Sequence, residues 1–314
     1  MSTPSVHILG DLMVDLALRV STLEAIARAR GSDLPTRAVL SPGGSAANTA
    51  TWLARCGMNV SLIGAVGTDP LGDYLIDEIE SSGVRVVVQR VPGELTGVCL
   101  ILNESSGERT MIPSAGANAA FNDALLHEQL TTSSVTHVHV SAYMLFHHIS
   151  GATALAYMES ARRLGATISL DPASSKLLFP NRERLIAALS ITDILLANDD
   201  EAHEITRLLR QDGQKANETD LNLMSAALHP RSPTVVVTHG AHDVRALSDS
   251  RHNFTSSVSP IDHVASTTGA GDAFNAGYLN AWLTGSDIPG SLTAGTSLAT
   301  RVLGQVGATT LDRE

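Results

Sequence analysis

The chain has 314 residues, of which 43% are hydrophobic and 17% are charged. This composition is too apolar for a disordered chain, and the length suits one large α/β domain. The net charge of −11 argues against nucleic acid as a partner, because affinity for nucleic acid depends on a basic surface.

Short apolar runs predict strands at 5–10, 60–66, 96–103, 135–141, 166–171, 193–197 and 234–238. Several of them, such as SLIGAV, DILLA and TVVVT, are apolar on both faces, which is typical of parallel strands covered by helices on two sides. Stretches of helical period alternate with these runs, at 45–57, 70–82, 150–164, 199–211, 270–284 and 289–303. The alternation predicts an α/β/α sandwich around a mainly parallel central sheet.

One region breaks this alternation and predicts a small β-sheet lid. Residues 94–113 contain two strand-like runs joined by the turn sequence NESSG, with no helix between them. The polar, poorly periodic segment 16–39 could supply the other side of this lid or cover a cleft.

The sharpest motif is the run STTGAGD at residues 266–272. The helical spacing of the residues that follow places Gly269, Ala270 and Gly271 at a helix N-terminus. Backbone N–H groups at such a turn suit an anion such as a phosphoryl group. Asp272 would lie in the first turn, where its carboxylate could take a proton from a hydroxyl. An ordinary helix cap with a first-turn aspartate explains the pattern about equally well.

A second glycine motif, SPGGSAANTA, occupies residues 41–50. Gly43 and Gly44 allow the backbone to approach a ligand closely, and Asn48 offers a donor and an acceptor for hydroxyl groups. A tight loop that leads into a helix is an equally good explanation of this motif taken alone.

Polar residues also follow three predicted strands. A loop aspartate is most often solvated surface, and the sequence NDDE at 198–201 suits a helix cap. In open α/β sheets, however, the carboxyl ends of the strands meet at one edge, where ligands bind. The shared edge therefore favours contacts to a polyol, to phosphate or to hydrated magnesium by Asp11, Asp15, Asn198, Glu201, Thr238 and Gly240.

Cysteine and histidine usage indicates neither a disulfide framework nor a zinc site. Cys56 and Cys99 form no CxxC pair, and we expect buried thiols in a reducing compartment, the cytoplasm. Asp11 and Asp15 interrupt the apolar run that a signal peptide needs, and the uncharged segment 129–158 is too rich in His, Ser and Thr for a membrane span. His137 and His139 lack further ligands, so a structural role is expected for both.

Taken together, these segments make the chain resemble the ribokinase-like carbohydrate kinases, the PfkB sugar kinase family. The similarity runs through HILGDLMVD, GGSAAN, AVGTDPLG, TGVCLIL, AGAN, NDDE, THG, TTGAGDAFNAG and VGATT. It implies a single ribokinase-like kinase domain over residues 1–314, with a discontinuous lid from about 13–39 and 94–113. It also implies a homodimer formed through that lid.

The resemblance implies Mg²⁺-dependent transfer of the γ-phosphoryl group of ATP to a hydroxymethyl group of a sugar or sugar-like polyol. Asp272 would be the general base, and the amides of Gly269, Ala270 and Gly271 would form the anion hole. Substrate-binding positions would be Asp11, Asp15, Gly43, Gly44 and Asn48. Asn198 and Glu201 would organise Mg²⁺ through water, Thr238 and Gly240 would contact the nucleotide, and a monovalent-cation site for K⁺ would involve Ser266 and Thr268.

Three departures from the ribokinase pattern argue against ribose as the acceptor. Met13, Ser45 and Ser141 stand where ribokinases carry Asn, Lys and Glu. Ser266 replaces the aspartate that usually opens the glycine motif.

Other functions remain open at this point. A nucleoside kinase of the same fold is the nearest alternative, with Tyr143, Phe146 and Phe121 available to stack on a base. A sugar-phosphate kinase needs a cationic cluster near the sugar, and the sequence does not locate one. A non-catalytic sugar or nucleotide sensor conflicts with the complete glycine turn and Asp272. A Rossmann dehydrogenase lacks its GxGxxG motif after the first strand.

Overall fold

The computed structural model describes residues 4–106, 108–122, 135–210, 219–230, 233–249, 251–258, 267–303 and 308–309. Within these residues the strands form two separate sheets, one of nine strands and one of four. The expected α/β/α sandwich with a smaller additional sheet is confirmed.

The large sheet has the strand order β13-β12-β11-β10-β9-β8-β1-β4-β5. The strands from β11 to β5 in this order are parallel, whereas β12 and β13 add an antiparallel edge. Consecutive residues Val235, Val236 and Val237 are all fully buried, so both faces of the sheet are covered. The strands are β1 (Ser5–Leu9), β4 (Asn59–Gly67), β5 (Arg85–Val91), β8 (His137–Ser141), β9 (Thr167–Asp171), β10 (Ile194–Asn198), β11 (Thr234–His239), β12 (His242–Ser248) and β13 (His252–Ser256).

Helices cover the large sheet on both faces, each over its own apolar cluster. One face carries α4 (His148–Arg163), α6 (Arg182–Leu189), α7 (Asp199–Leu209) and α8 (Leu221–Ala227). The other face carries α2 (Ser45–Arg55), α3 (Pro70–Glu80), α9 (Ala270–Leu283) and α10 (Ile288–Leu303). Two further short helices are α1 (Leu23–Arg28) and α5 (Ser175–Leu178).

The small sheet has the strand order β3-β2-β6-β7. Its strands are β2 (Met13–Val20), β3 (Ala38–Gly43), β6 (Gly97–Glu104) and β7 (Arg109–Ser114). The hairpin expected at 94–113 is β6 and β7, which pair antiparallel, and β2 pairs with β6 in parallel. Residues 16–39 thus contribute to the other side of this sheet and do not merely cover a cleft.

The interior of the large sheet contains a row of polar side chains on β8 and β9. His137 and His139 are fully buried, and the Ser169 hydroxyl lies 2.8 Å from Nε2 of His137 and 2.8 Å from Nδ1 of His139. Burial lowers the pKa of both histidines to about 3, so they are neutral. The expected structural role of these histidines agrees with these contacts.

The two cysteines differ in exposure. Cys99 is buried in the small sheet, whereas Cys56 at the end of α2 is exposed, so the expectation of two buried thiols is wrong for Cys56. The exposed turn at Gly57 that follows α2 leaves this thiol at the surface. Across the described ranges, no helix combines the length and hydrophobicity needed to cross a bilayer.

Candidate active site

A cavity of about 540 Å³ lies at the carboxyl ends of the parallel strands, between the two sheets. This volume is typical of a site for a small ligand. Asp11 follows β1, and β9, β10 and β11 contribute Asp171, Asn198 and Thr238. The expectation that these strand ends meet at one edge therefore holds for Asp11, Asn198 and Thr238.

The glycine turn at 269–271 forms the N-terminus of α9 and opens into the cavity. Gly269 caps this helix with φ +78°, a left-handed conformation that favours glycine, and an added Cβ would lie 2.6 Å from Cβ of Ala308. A Cβ on Gly271 would meet no atom within 4 Å. The first turn of a helix leaves backbone N–H groups unpaired, so this turn suits an anion.

Asp272, in the first turn of α9, is held by two residues of α2. The Ser45 hydroxyl donates to its Oδ1 at 2.8 Å, and the Asn48 amide donates to its Oδ2 at 2.8 Å. Burial, with a smaller contribution from the charge of Asp171, raises the pKa of Asp272 to about 7. A carboxylate with a pKa near neutrality is well suited to accept a proton at physiological pH.

Asp171 is a site residue that the sequence motifs did not indicate. It ends β9, is 9% exposed, and accepts hydrogen bonds from the Asn275 amide at 2.9 Å and the Ala173 backbone N–H at 2.8 Å. Burial raises its pKa to about 6. Its position after the apolar run ISL, like that of Asp11 after HIL, was the signal that could have identified it.

Asp11 and Asp15 bring two more carboxyl groups to the cavity. Both are buried, which raises the pKa of Asp11 to about 7 and that of Asp15 to about 6. Among the described residues, Oδ1 of Asp11 has no hydrogen-bond partner. Buried polar atoms are almost always paired, so this oxygen suits a ligand hydroxyl.

The Gly43-Gly44 pair makes room for these aspartates. A Cβ added to Gly43 would lie 2.3 Å from Cγ of Asp15. A Cβ added to Gly44 would lie 2.3 Å from the backbone oxygen of Asp11. Gly44 also has φ +97° and caps α2. Gly43 supports the cavity without lining it, whereas Gly44 and Asn48 line it.

Asn198 and Glu201 form a capping box at the start of α7, and both line the cavity. The Glu201 N–H donates to Asn198 Oδ1 at 3.0 Å, and the Asn198 N–H donates to Glu201 Oε2 at 2.9 Å. Burial and the charge of Asp171 raise the pKa of Glu201 to about 8. The capping explanation is thus correct. The carboxyl group of Glu201 nevertheless faces the cavity, where a cation would stabilise its charged form.

The remaining predicted residues divide between the cavity and its surroundings. Thr268 lines the cavity, and its hydroxyl accepts a hydrogen bond from Arg109 of β7. Ala270 and Gly240 do not line the cavity, although Gly240 follows the cavity residue Thr238. Ser266 lies outside the described residues.

The part of the cavity beneath the small sheet is mostly apolar. Met13, Cys99, Met111 and Pro113 line it from β2, β6 and β7. Opposite them, the rings of Tyr143 and Phe146 meet edge to face, with centroids 6.2 Å apart and an interplanar angle of 81°. Phe121 is fully buried in the core and does not line the cavity, so the expectation that it could stack on a base is wrong.

The residues that depart from the ribokinase pattern differ in their position relative to the cavity. Ser45 lines the cavity but directs its hydroxyl to Asp272. Ser141 is fully buried at the end of β8 and does not line the cavity. Met13 lines the cavity and presents an apolar surface where the ribokinase pattern has the polar side chain of Asn.

Known proteins resemble this chain over almost its whole length. The model of the pfkB family carbohydrate kinases matches residues 3–314. An ATP-dependent ribose-1-phosphate kinase from Halopiger xanaduensis is 29% identical over 95% of this chain and 92% of that protein. A fructokinase from Salmonella typhimurium is 29% identical over 92% of this chain and 87% of that protein.

The fold matches solved structures equally well. The crystal structure of adenosine kinase from Sinorhizobium meliloti superimposes with a TM-score of 0.84 at 20% identity, covering 99% of this chain and 97% of that chain. At this identity the match concerns the fold alone. The family match over residues 3–314 and the agreement in architecture lead to one conclusion: the chain belongs to the pfkB family of carbohydrate kinases and is a kinase.

Proposed function

We propose that the protein transfers the γ-phosphoryl group of ATP to a hydroxymethyl group of a sugar or sugar-like polyol, with Asp272 as the general base. One observation carries this proposal: the Asp272 carboxylate lies beside the glycine turn of α9, in a cavity that receives polar groups from four strand ends. A proton acceptor and an anion-binding turn are thus adjacent, as in-line phosphoryl transfer requires.

The proposed step needs only groups that are present in the site or in the two substrates. Asp272 takes the proton of the acceptor hydroxyl, whose oxygen forms a bond to the γ-phosphorus. The bond from that phosphorus to the bridging oxygen of ADP breaks, and ADP leaves with the electron pair. Gly269 and Gly271 line the cavity, and we infer that the amides of this turn, with that of Ala270 between them, stabilise negative charge on the transferring group.

The acceptor would lie between Asp11, Asp15 and Asn48, beneath the small sheet. The unpaired Oδ1 of Asp11 and the carboxylate of Asp15 would accept hydrogen bonds from its hydroxyl groups. We infer that residues 1–314 act as one kinase domain in which the small sheet serves as a lid. Closure of the lid would exclude water that would otherwise hydrolyse ATP.

Magnesium fits the carboxylates at the other end of the cavity. Within the described ranges, no three metal-ligating side chains converge on one point. Mg²⁺ retains several water ligands and binds nucleotide phosphates, so Glu201 and Asn198 would hold it through water. Bound there, it would neutralise phosphate charge. Thr238 and Gly240 would lie toward the nucleotide, and a K⁺ requirement involving Ser266 and Thr268 stays a prediction.

We also infer a cytoplasmic homodimer that forms through the lid. The edge strands β3 and β7 expose apolar side chains that are about half accessible, namely Val39, Leu40, Met111 and Ile112. Exposed apolar side chains at sheet edges favour association. Analytical ultracentrifugation checks this inference, and a monomer at all concentrations would contradict it.

A nucleoside kinase is the second candidate, and one observation favours it. The edge-to-face pair of Tyr143 and Phe146 borders the cavity opposite the lid and offers an aromatic surface for a base. Substitution of both rings by leucine separates the two functions. Loss of activity on nucleosides would indicate stacking on a base, whereas activity that is unchanged on every acceptor would favour the carbohydrate assignment.

The decisive experiment is ADP release from Mg-ATP with pentoses, hexoses, sugar acids, sugar phosphates and nucleosides, with and without potassium. A strong response to one class identifies the acceptor. No transfer to any acceptor, with a known kinase active in the same assay, would contradict the proposed function.

A further inference from the structure

The Ser45 hydroxyl lies between two carboxyl groups. Its oxygen is 2.8 Å from Oδ1 of Asp272 and 3.4 Å from Oδ2 of Asp171. A hydroxyl has a single proton and donates it to one acceptor at a time. The shorter distance assigns that proton to Asp272, so Asp171 lies beside the same hydroxyl as a second acceptor.

Asp171 is fixed in place by the backbone and by α9. It is the last residue of β9, where it pairs with Ser141 of β8. Oδ1 accepts from the Ala173 N–H, and Oδ2 accepts from the Asn275 amide, three residues after Asp272 on the same helix. Asp171 and Asp272 therefore have a fixed spatial relation, because α9 contacts one and carries the other.

We propose that Asp171 is a positioning residue for the transfer reaction: it holds a negative charge at a fixed place beside Asp272 and thereby makes Asp272 a stronger proton acceptor. The inference rests on the proposed function, in which Asp272 is the base. A like charge nearby disfavours the ionised form of a carboxyl group, which increases its affinity for a proton.

Other charged groups line the same cavity, and their charges change the proton affinity of Asp272 in opposite directions. Asp15 on β2, Asp11 after β1 and Glu201 on α7 are further carboxyl groups of the cavity. Arg109 on β7 supplies the opposing positive charge. Asp171 differs from these groups because it shares a hydrogen-bonding hydroxyl with Asp272. Burial is the largest cause of the raised pKa of Asp272, and Asp171 is the next.

Two variants shift the titration of Asp272 in opposite directions if the proposal is correct. Asp171→Asn removes the neighbouring charge and should lower the titration midpoint of Asp272 by about one pH unit. Ser45→Ala removes the donor that stabilises ionised Asp272 and should raise that midpoint. Damage to the fold would not produce opposite shifts.

The measurement is carboxyl ¹³C NMR of the full-length, ligand-free protein labelled at aspartate, with the Asp272 signal identified by its loss in Asp272→Asn. In the wild-type protein, this signal should titrate in two steps, since interacting carboxyl groups titrate as a pair. The two-step titration is measured on the wild-type protein, so it tests the proposal even if the Asp171→Asn variant does not fold. Asp73→Asn, which changes an exposed carboxyl group of α3, serves as the control and should leave the midpoint unchanged.

A midpoint unchanged by Asp171→Asn, or a single-step titration in the wild-type protein, would overturn the proposal. If the function is also correct, the acidic limb of kcat/KM moves with the midpoint in both variants. Absence of phosphoryl transfer in the wild-type protein would instead overturn the proposed function. The two failures are therefore distinguishable.

Discussion

Arg109 and Thr268 connect the small sheet to the glycine turn of α9. The Arg109 guanidinium, on β7, donates a hydrogen bond to the hydroxyl of Thr268, the residue immediately before Gly269. Within the part of the chain that the structure describes, no other lysine or arginine lines the cavity. Arg109 lies on a hairpin 159 residues before Thr268, so no local sequence pattern indicates a cation in this cavity.

Arg109 lines the cavity beside the anion-binding turn, so we expect it to donate to the transferring phosphoryl group. Arg109→Ala should then reduce kcat on the order of 10²-fold. Arg109→Lys should recover part of the activity, because lysine keeps the charge but not the planar guanidinium. Steady-state kinetics with saturating Mg-ATP measure both. Arg90→Ala, which changes a partly exposed arginine paired with Asp73, is the control. Equal activity of Arg109→Ala and Arg90→Ala would contradict a role for Arg109 in transfer.

Asp272→Asn should reduce kcat by at least about 10²-fold, because an amide does not accept the proton of the acceptor hydroxyl. The new asparagine side chain keeps one oxygen, to which either Ser45 or Asn48 can donate, so the fold should be retained. Circular dichroism checks the fold, and calorimetry checks that the nucleotide still binds. Activity close to that of the wild-type protein would refute Asp272 as the base.

Asp11→Asn should stabilise the ligand-free protein at high pH. Burial raises the pKa of Asp11 from 3.8 to about 7, so the folded chain holds a proton that the unfolded chain releases. The contribution of Asp11 to the free energy of unfolding therefore falls as pH rises through this range. The asparagine variant should gain roughly 1–3 kcal/mol at about pH 8 and nothing near pH 4.

Urea unfolding of the Asp11→Asn variant at the two pH values measures this difference. Asp73→Asn, at an exposed carboxyl group paired with Arg90, is the comparison variant. A gain of the same size at both pH values would mean that charge burial is not its cause.

Gly43→Ala should raise the KM for the acceptor more than it lowers kcat. The added Cβ would lie 2.3 Å from Cγ of Asp15, so the Asp15 carboxylate must move away from the acceptor. Gly290→Ala, near the start of α10, is the matched control, because the nearest atom to its Cβ is the end of the Asp287 side chain at 3.0 Å. The control should leave KM unchanged, and a KM unchanged in Gly43→Ala would refute the role of Asp15.

Glu201→Gln should increase the Mg²⁺ concentration required for half-maximal activity. Glutamine retains an oxygen for the Asn198 N–H, so the capping box and the fold survive, while the charge that would attract hydrated Mg²⁺ is lost. Titration of activity with Mg²⁺ measures the change. Glu204→Gln, on the same helix and outside the cavity, provides the comparison. Identical Mg²⁺ dependence in both variants would contradict the assignment.

The architecture could be predicted because local patterns and the fold agree. Valine-rich runs such as TVVVT have two apolar faces, and a parallel sheet covered by helices is the arrangement that buries both. Strands β5, β12 and β13 were not predicted. β5 and β13 are partly exposed at the two edges of the sheet, which weakens the apolar pattern, and β12, next to β13, begins with the exposed residues His242 and Asp243. At an edge, tertiary pairing decides the structure more than the local sequence does.

The candidate site could be predicted only where a motif marked it. Glycine turns and strand-end carboxyl groups are visible in the sequence, and Gly269, Gly271, Asn48 and Asp272 do meet in the cavity. The pairing of Ser45 with Asp272 joins positions separated by 227 residues, which no local pattern contains. Arg109 was missed for the same reason, whereas Asp171 directly follows the apolar run ISL and could have been identified from it.

The hydrogen bonds that link His137, Ser169 and His139 have a donor-to-acceptor direction, although both outer residues are histidines. The Ser169 hydroxyl carries one proton, so it donates to one ring nitrogen and accepts from the other. When one imidazole presents a bare nitrogen to Ser169, the other must present an N–H. The tautomers of His137 and His139 are therefore correlated, and a reversal at one imidazole requires a reversal at the other, deep inside a sheet whose adjacent strand β1 carries a further buried histidine, His7.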